Sequence, residues 1–217
     1  MRTAPVLRGG PVLTGVWLVV GLFLFACGIV CFLESRLGLP PWDVLHQGIA
    51  EHSPLSFGEA NIVVSVFVVT FARLLGARVG IGTLANAVLV GTFIVALTSI
   101  GAVQELADQP LAVRIGMLVA GVLLTGAGSG IYLAAALGAG PRDSLMVIAA
   151  YRLGRRIAVV RAGIELCALG LGIALGGTFG AGTVAFALLI GPSIEASFWL
   201  LERSRLTRPV CPAPVPA

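Results

Sequence analysis

The chain contains no lysine; all fourteen of its basic residues are arginine. That usage carries no mechanism, but the wider shortage of charge does. Only 11% of the 217 residues are charged, far too few to cover a soluble domain of this size. A single large buried core is the other way to hide so apolar a chain. At least five runs approach the roughly 20 apolar residues that cross a bilayer, which argues against that alternative. No HExxH, GxSxG or Walker A pattern occurs, so the reading is non-enzymatic, with no cofactor. The four cysteines, Cys27, Cys31, Cys167 and Cys211, form no CxxC pair and read as small packing residues. His46 and His52 are six apart, do not share a helix face, and are expected to be solvated rather than to hold a metal. Nothing points to nucleic acid.

What is present is apolar: 58% of the chain, with a mean hydropathy of +1.02. Six spans are predicted, at 12–33, 57–75, 83–100, 111–137, 157–175 and 183–201. The first run is too long for the apolar core of a cleaved signal. Two further segments, 42–52 and 143–153, suit helices too short to span. Each either lies in the interface or dips into the membrane and returns. On the first, Trp42, Leu45 and Ile49 share a face, with Asp43, His46, Gln47 and Glu51 largely opposite. Ser56 is a candidate N-cap for the span that follows, with Glu59 and Asn61 near its hydrated start. The proline-containing tail, 202–217, is expected to be disordered.

The chain repeats itself at an offset of 100 residues without a gap. Gly38, Pro41, Asp43 and Leu45 match Gly138, Pro141, Asp143 and Leu145 in a shared Gly-x-x-Pro-x-Asp-x-Leu frame. Gly21 matches Gly121, Gly28 matches Gly128, Gly82-Thr83 matches Gly182-Thr183, and Gly91 matches Gly191. The fold class is therefore all-α: a polytopic membrane bundle of two three-helix repeats, 12–100 and 111–201, in a single membrane domain over 1–217. Three spans per repeat place the two halves in opposite orientations. Counting arginines by loop puts both termini in the cytoplasm, with Arg36 and Arg114 alone on the outer side. The first break then faces outward and the second faces the cytoplasm.

The break has a local account. A residue before proline leaves the helical region, so a helix stops before Pro41 and before Pro141. Gly38 and Gly138 suit the left-handed cap that ends a helix. Proline is tolerated in the first turn of the next helix, and Asp43 and Asp143 sit near the positive end of its dipole. Broken helices in inverted repeats also build substrate or ion sites, so the two aspartates are candidates for a solute or ion path. Charge inside a span is costly and should turn inward or reach an interface. Arg161 and Glu165 are spaced to pair on one helix face, Glu195 is placed to meet Arg161, and Asn86 suits an interhelical hydrogen bond. A structural role stays open for each.

Six spans in two halves, with Gly-x-x-Pro-x-Asp after the first span of each, resemble the YczE/YyaS/YitT group of bacterial membrane proteins. Gly38, Pro41, Asp43, Gly138, Pro141 and Asp143 carry the likeness, with Gly82-Thr83 and Gly182-Thr183. The resemblance implies a multi-pass protein of the bacterial inner membrane. The expected function is secondary transport or export of a small solute by alternating access of the two repeats. The alternative is a non-transporting accessory or scaffold for a biosynthetic or export assembly; a channel is a third reading. Expected partners are membrane lipid and a small solute, and the reading allows a homodimer.

Overall fold

A computed structural model describes residues 5–7, 9–204 and 206–208. Arg2, Arg8, Arg205, Cys211 and the segment 209–217, which entered the topology and tail readings, lie outside the described residues. The helices in chain order are α1 (Pro11–Ser35), α2 (Pro41–Glu51), α3 (Phe57–Leu74), α4 (Ile81–Thr98), α5 (Gly101–Gln104), α6 (Leu111–Ala134), α7 (Pro141–Leu153), α8 (Ile157–Ala174) and α9 (Ala181–Arg203). A 3-10 turn over Glu105–Asp108 follows α5. Among the described residues six helices, α1, α3, α4, α6, α8 and α9, are long and apolar enough to cross a membrane. Helix is the natural state of such runs, because it satisfies every backbone polar group without water.

The expected boundaries hold to within a few residues. Ser56 caps α3: its hydroxyl accepts from the Glu59 N–H at 3.3 Å, and the Glu59 carboxylate accepts from the Ser56 N–H at 2.7 Å. Residues 202–203 and 207–208, expected within a disordered tail, lie in helix and strand. Helix α9 runs through Arg203, and β1 (Val6–Leu7) pairs antiparallel with β2 (Thr207–Arg208), joining the two ends of the described chain.

Helices α1 and α6 form the central antiparallel pair. Their repeat-matched glycines interlock: a Cβ at Gly21 would strike the Tyr132 N–H and the Gly128 carbonyl, and one at Gly28 would strike Thr125 and the Gly121 carbonyl. Small residues let the two backbones approach, which is how helices gain contact where lipid offers no hydrophobic drive. Helix α4 packs on α1, and α9 packs on α6. The short helices cross over: α2 packs on α8 and α7 packs on α3, so each half of the chain holds a short helix of the other.

The breaks exchange hydrogen bonds in the same crossed manner. The Gly182 N–H donates to the Leu37 carbonyl at 2.7 Å, and the Gly82 N–H donates to the Leu137 carbonyl at 2.9 Å. Pro41 and Pro141 open α2 and α7 as expected. The left-handed residue that ends the preceding helix is not glycine, however. It is Arg36 (φ 50°), and Ala136 (φ 54°) takes the matching position. Gly38 (φ 117°) and Gly138 (φ 136°) lie two residues on, in a region that L side chains rarely adopt. There they also leave room for the backbone of Gly180 and of Gly80.

Candidate functional site

The two breaks were expected on opposite membrane faces. In the structure their first helical turns meet. Arg142, in the first turn of α7, places Nη2 3.5 Å from Asp43 Oδ1 in the first turn of α2. Its guanidinium also lies over the Trp42 ring, 5.1 Å from the centroid. Trp42 packs in one apolar cluster with Leu145 and Met146 of α7 and with Val68 and Ala72 of α3.

The polar side of α2 is buried against its neighbours, so His46, expected to be solvated, is not. Asp43 is 1% exposed and His46 is 0% exposed. The Asp43 carboxylate turns to His46 and Arg142 rather than to the free N–H groups of its own helix end. His46 Nδ1 lies 3.0 Å from Asp43 Oδ1 and 3.1 Å from Asn61 Nδ2, reached across from α3. Asn61, expected at a hydrated end, is 2% exposed. Burial holds the His46 imidazole below its ordinary value, against the pull of Asp43. His46 Nε2 and Trp42 Nε1 are buried without a hydrogen-bond partner.

The second break holds a different set. The Tyr132 hydroxyl, from α6, donates to the Asp143 carboxylate, and Arg161 and Arg142 act on the same group. Burial pushes the Asp143 carboxyl up, against Arg161, Arg142 and the tyrosine. Asn86 Nδ2 and Asp143 Oδ2 both border Gly140. Of the candidate residues, Asp43, Asp143 and Asn86 thus belong to the meeting of the breaks, and Arg142 links the two aspartates.

Arg161 and Glu165 pair within α8 at 3.0 Å as their spacing predicts. Glu195 stands on the exposed face of α9, and the ion pair of Arg161 goes to Glu165 rather than to it. Glu165 lines a cleft of about 370 Å³ between α8 and α9, with Leu166, Leu169, Phe179, Thr183 and Leu188. Pro41, two residues before Asp43, also lines it.

His46, Asn61, Arg142 and Tyr132 were missed as site residues. Two signals were in the sequence. Asp43 and His46 are three apart, hence on one helix face, and Asn61 stands at the repeat position of Arg161.

Comparison with known proteins agrees with the likeness carried by the two breaks. The chain is 36% identical over 145 residues to the uncharacterized membrane protein YczE of Bacillus subtilis (strain 168), covering 66% of each protein. It is 36% identical over 141 residues to an uncharacterized protein of Haemophilus influenzae, covering 62% of each. The matched region therefore spans just under two thirds of the length of these relatives. No solved structure matches the chain. A model of the family of unknown function DUF6198 matches residues 13–197, and the chain belongs to that family.

Proposed function

We propose that the protein is a small-solute secondary transporter of the bacterial plasma membrane, with both termini cytoplasmic, working by alternating access of two inverted repeats. In this reading α2 and α7 are re-entrant half-helices whose N-terminal ends meet within the membrane, and Asp43, Asp143 and Arg142 stand at the crossing of the path. Its partners are lipid and the solute, and it makes or breaks no covalent bond.

One observation carries the reading. The outer helices of the first half, α3 and α4, pack along their length, whereas α8 and α9 stand apart around the cleft. Gly91 of α4 lies against the Gly58 carbonyl and Ile62 of α3. A Cβ at Gly191, its repeat partner, would meet nothing within 4 Å. The residues that would face Gly191 on closure are Ala158 and Ala162, small enough to accept it. Two near-equal halves in unequal states are what a rocking transporter holds at any one time. Pro192 sits inside α9, where it removes a helical hydrogen bond and loosens the helix beside Gly191.

The test joins Ala162→Cys to Gly191→Cys in a chain whose native cysteines are replaced. A cysteine at 191 is out of disulfide reach of α8 in the present arrangement. Mild oxidation in membranes is expected to link the pair, because α9 visits α8. In proteoliposomes screened with small organic cations, anions and zwitterions, the linked form should lose gradient-driven uptake and regain it on reduction. Failure of the link to form, with no solute moved by the unlinked protein, overturns the reading in favour of a membrane accessory protein.

A further inference from the structure

We propose that Asp43 and His46 form a buried proton-binding site, with Arg142 as the cation that an arriving proton displaces. This rests on the transport reading and adds the coupling ion to it.

The first argument is hydrogen-bond arithmetic. His46 Nδ1 faces both Asp43 Oδ1 at 3.0 Å and Asn61 Nδ2 at 3.1 Å. One imidazole nitrogen donates or accepts; it does not do both. With hydrogen on Nδ1 the ring donates to the aspartate, and the Asn61 amide must turn its carbonyl inward. With Nδ1 bare the ring accepts from Asn61, and the aspartate is left to Arg142. The cluster therefore has two settings that differ in the place of one proton. The other ring nitrogen, Nε2, is buried without a partner. A buried polar group left this way is costly unless it has a use in another state.

The second argument is charge. One carboxylate faces two groups able to be positive. A proton added to His46 makes both imidazole nitrogens donors, and Asp43 balances the imidazolium. Arg142 at 3.5 Å then has no counter-charge at Asp43, and two cations beside one buried anion is unfavourable. Arg142 is the member free to leave: its side chain is 24% exposed, against 2% for Asp43. It also acts on Asp143. Loading a proton thus loosens the contact between the first turns of α2 and α7. The proton comes from water on the side to which the site is open and leaves to water on the other.

The other walls bring little competing charge. From α3 come neutral Asn61 and Phe57, and where α8 packs on α2, Gly172 and Leu175 lie against Val44, Leu45 and Gly48. Gln47 of α2 is occupied by the Thr178 N–H at 2.8 Å.

The test uses the full chain in lipid nanodiscs, labelled at histidine and titrated by nuclear magnetic resonance between pH 5 and 9. The sequence holds two histidines, so His52, exposed at the end of α2, serves as the internal reference. Arg142→Gln is expected to raise the His46 midpoint by about one pH unit or more, with His52 unmoved. Arg142→Lys should restore most of the wild-type value. Asp43→Asn should lower the midpoint further. A His46 midpoint that ignores Arg142→Gln overturns the proposal, and so does one that follows His52 in every variant. If Asp43→Asn does not fold, the two arginine variants decide alone. No solute is needed, so the result stands whether or not the cysteine link between α8 and α9 forms.

Discussion

Helices α3 and α8 are each 18 residues long, and α4 and α9 share the glycine pairs Gly82/Gly182 and Gly91/Gly191, yet the structure treats the two helix pairs differently. Gly91 is filled by its neighbours; Gly191 faces open space. The matched positions at the helix centre are Thr92 and Pro192. The breaks differ in the same way. Asp43 is paired with a histidine and an arginine, whereas Asp143 is met by a tyrosine hydroxyl and two arginines. The lesson is that the repeat specifies which contacts each half is able to make. In the structure α3 packs with α4, whereas α8 packs on α2.

The strongest test of that contrast is a bulky side chain at each glycine. Gly91→Leu drives its branch into the Gly58 backbone, which has no room to give, and should cost about 3 kcal/mol or more. Gly191→Leu should leave thermal stability in detergent within about 0.5 kcal/mol, because a Cβ there meets nothing within 4 Å. Equal losses at both positions would break the comparison.

The aspartates give the next effect. Asp43→Asn removes the charge that Arg142 and His46 share in a buried place and should cost about 1–3 kcal/mol. Asp143→Asn should be neutral or slightly stabilising at pH 7. Its folded carboxyl is raised, so the unfolded state releases the proton first, and the stability it contributes is lost as pH rises through the carboxylate range. A neutral amide removes that loss. Melting curves of the two variants, taken side by side, settle the order.

The smallest effect is in pH. The folded imidazole of His46 sits below its ordinary 6.5, so the unfolded chain binds the proton more readily. The stability that follows is complete above about pH 6.5 and falls as pH drops below it, by at most about 1.4 kcal/mol per unit. His46→Gln should flatten that slope between pH 6.5 and 5, and an unchanged slope would remove His46 from the account.

Much of this was readable in advance because it is local. The spans follow from apolar run length, the stops from Pro41 and Pro141, and the cap from Ser56 with Glu59. The Arg161–Glu165 pair follows from helical spacing alone. What was misread involved burial and partners. The polar face of α2 was assigned to water because amphipathic patterns are ordinarily read against solvent; here another helix, α3, supplies Asn61. The left-handed turns fell on Arg36 and Ala136, where the crossed backbone bonds from α9 and α4 fix the loop geometry that follows.

The sequence by itself determined six apolar helices, two interruptions and a register of 100 residues, because helix formation and its termination depend on neighbours in the chain. Only the tertiary structure decided that the interruptions meet, that Asp43 and His46 are buried together, and that one pair of outer helices is closed while the matching pair is open. Those features arise from contacts across 15 to 99 residues of sequence, from His46–Asn61 to Asp43–Arg142. No local pattern encodes such contacts. They are set by which surfaces come within reach when the short helix of each half packs on the other.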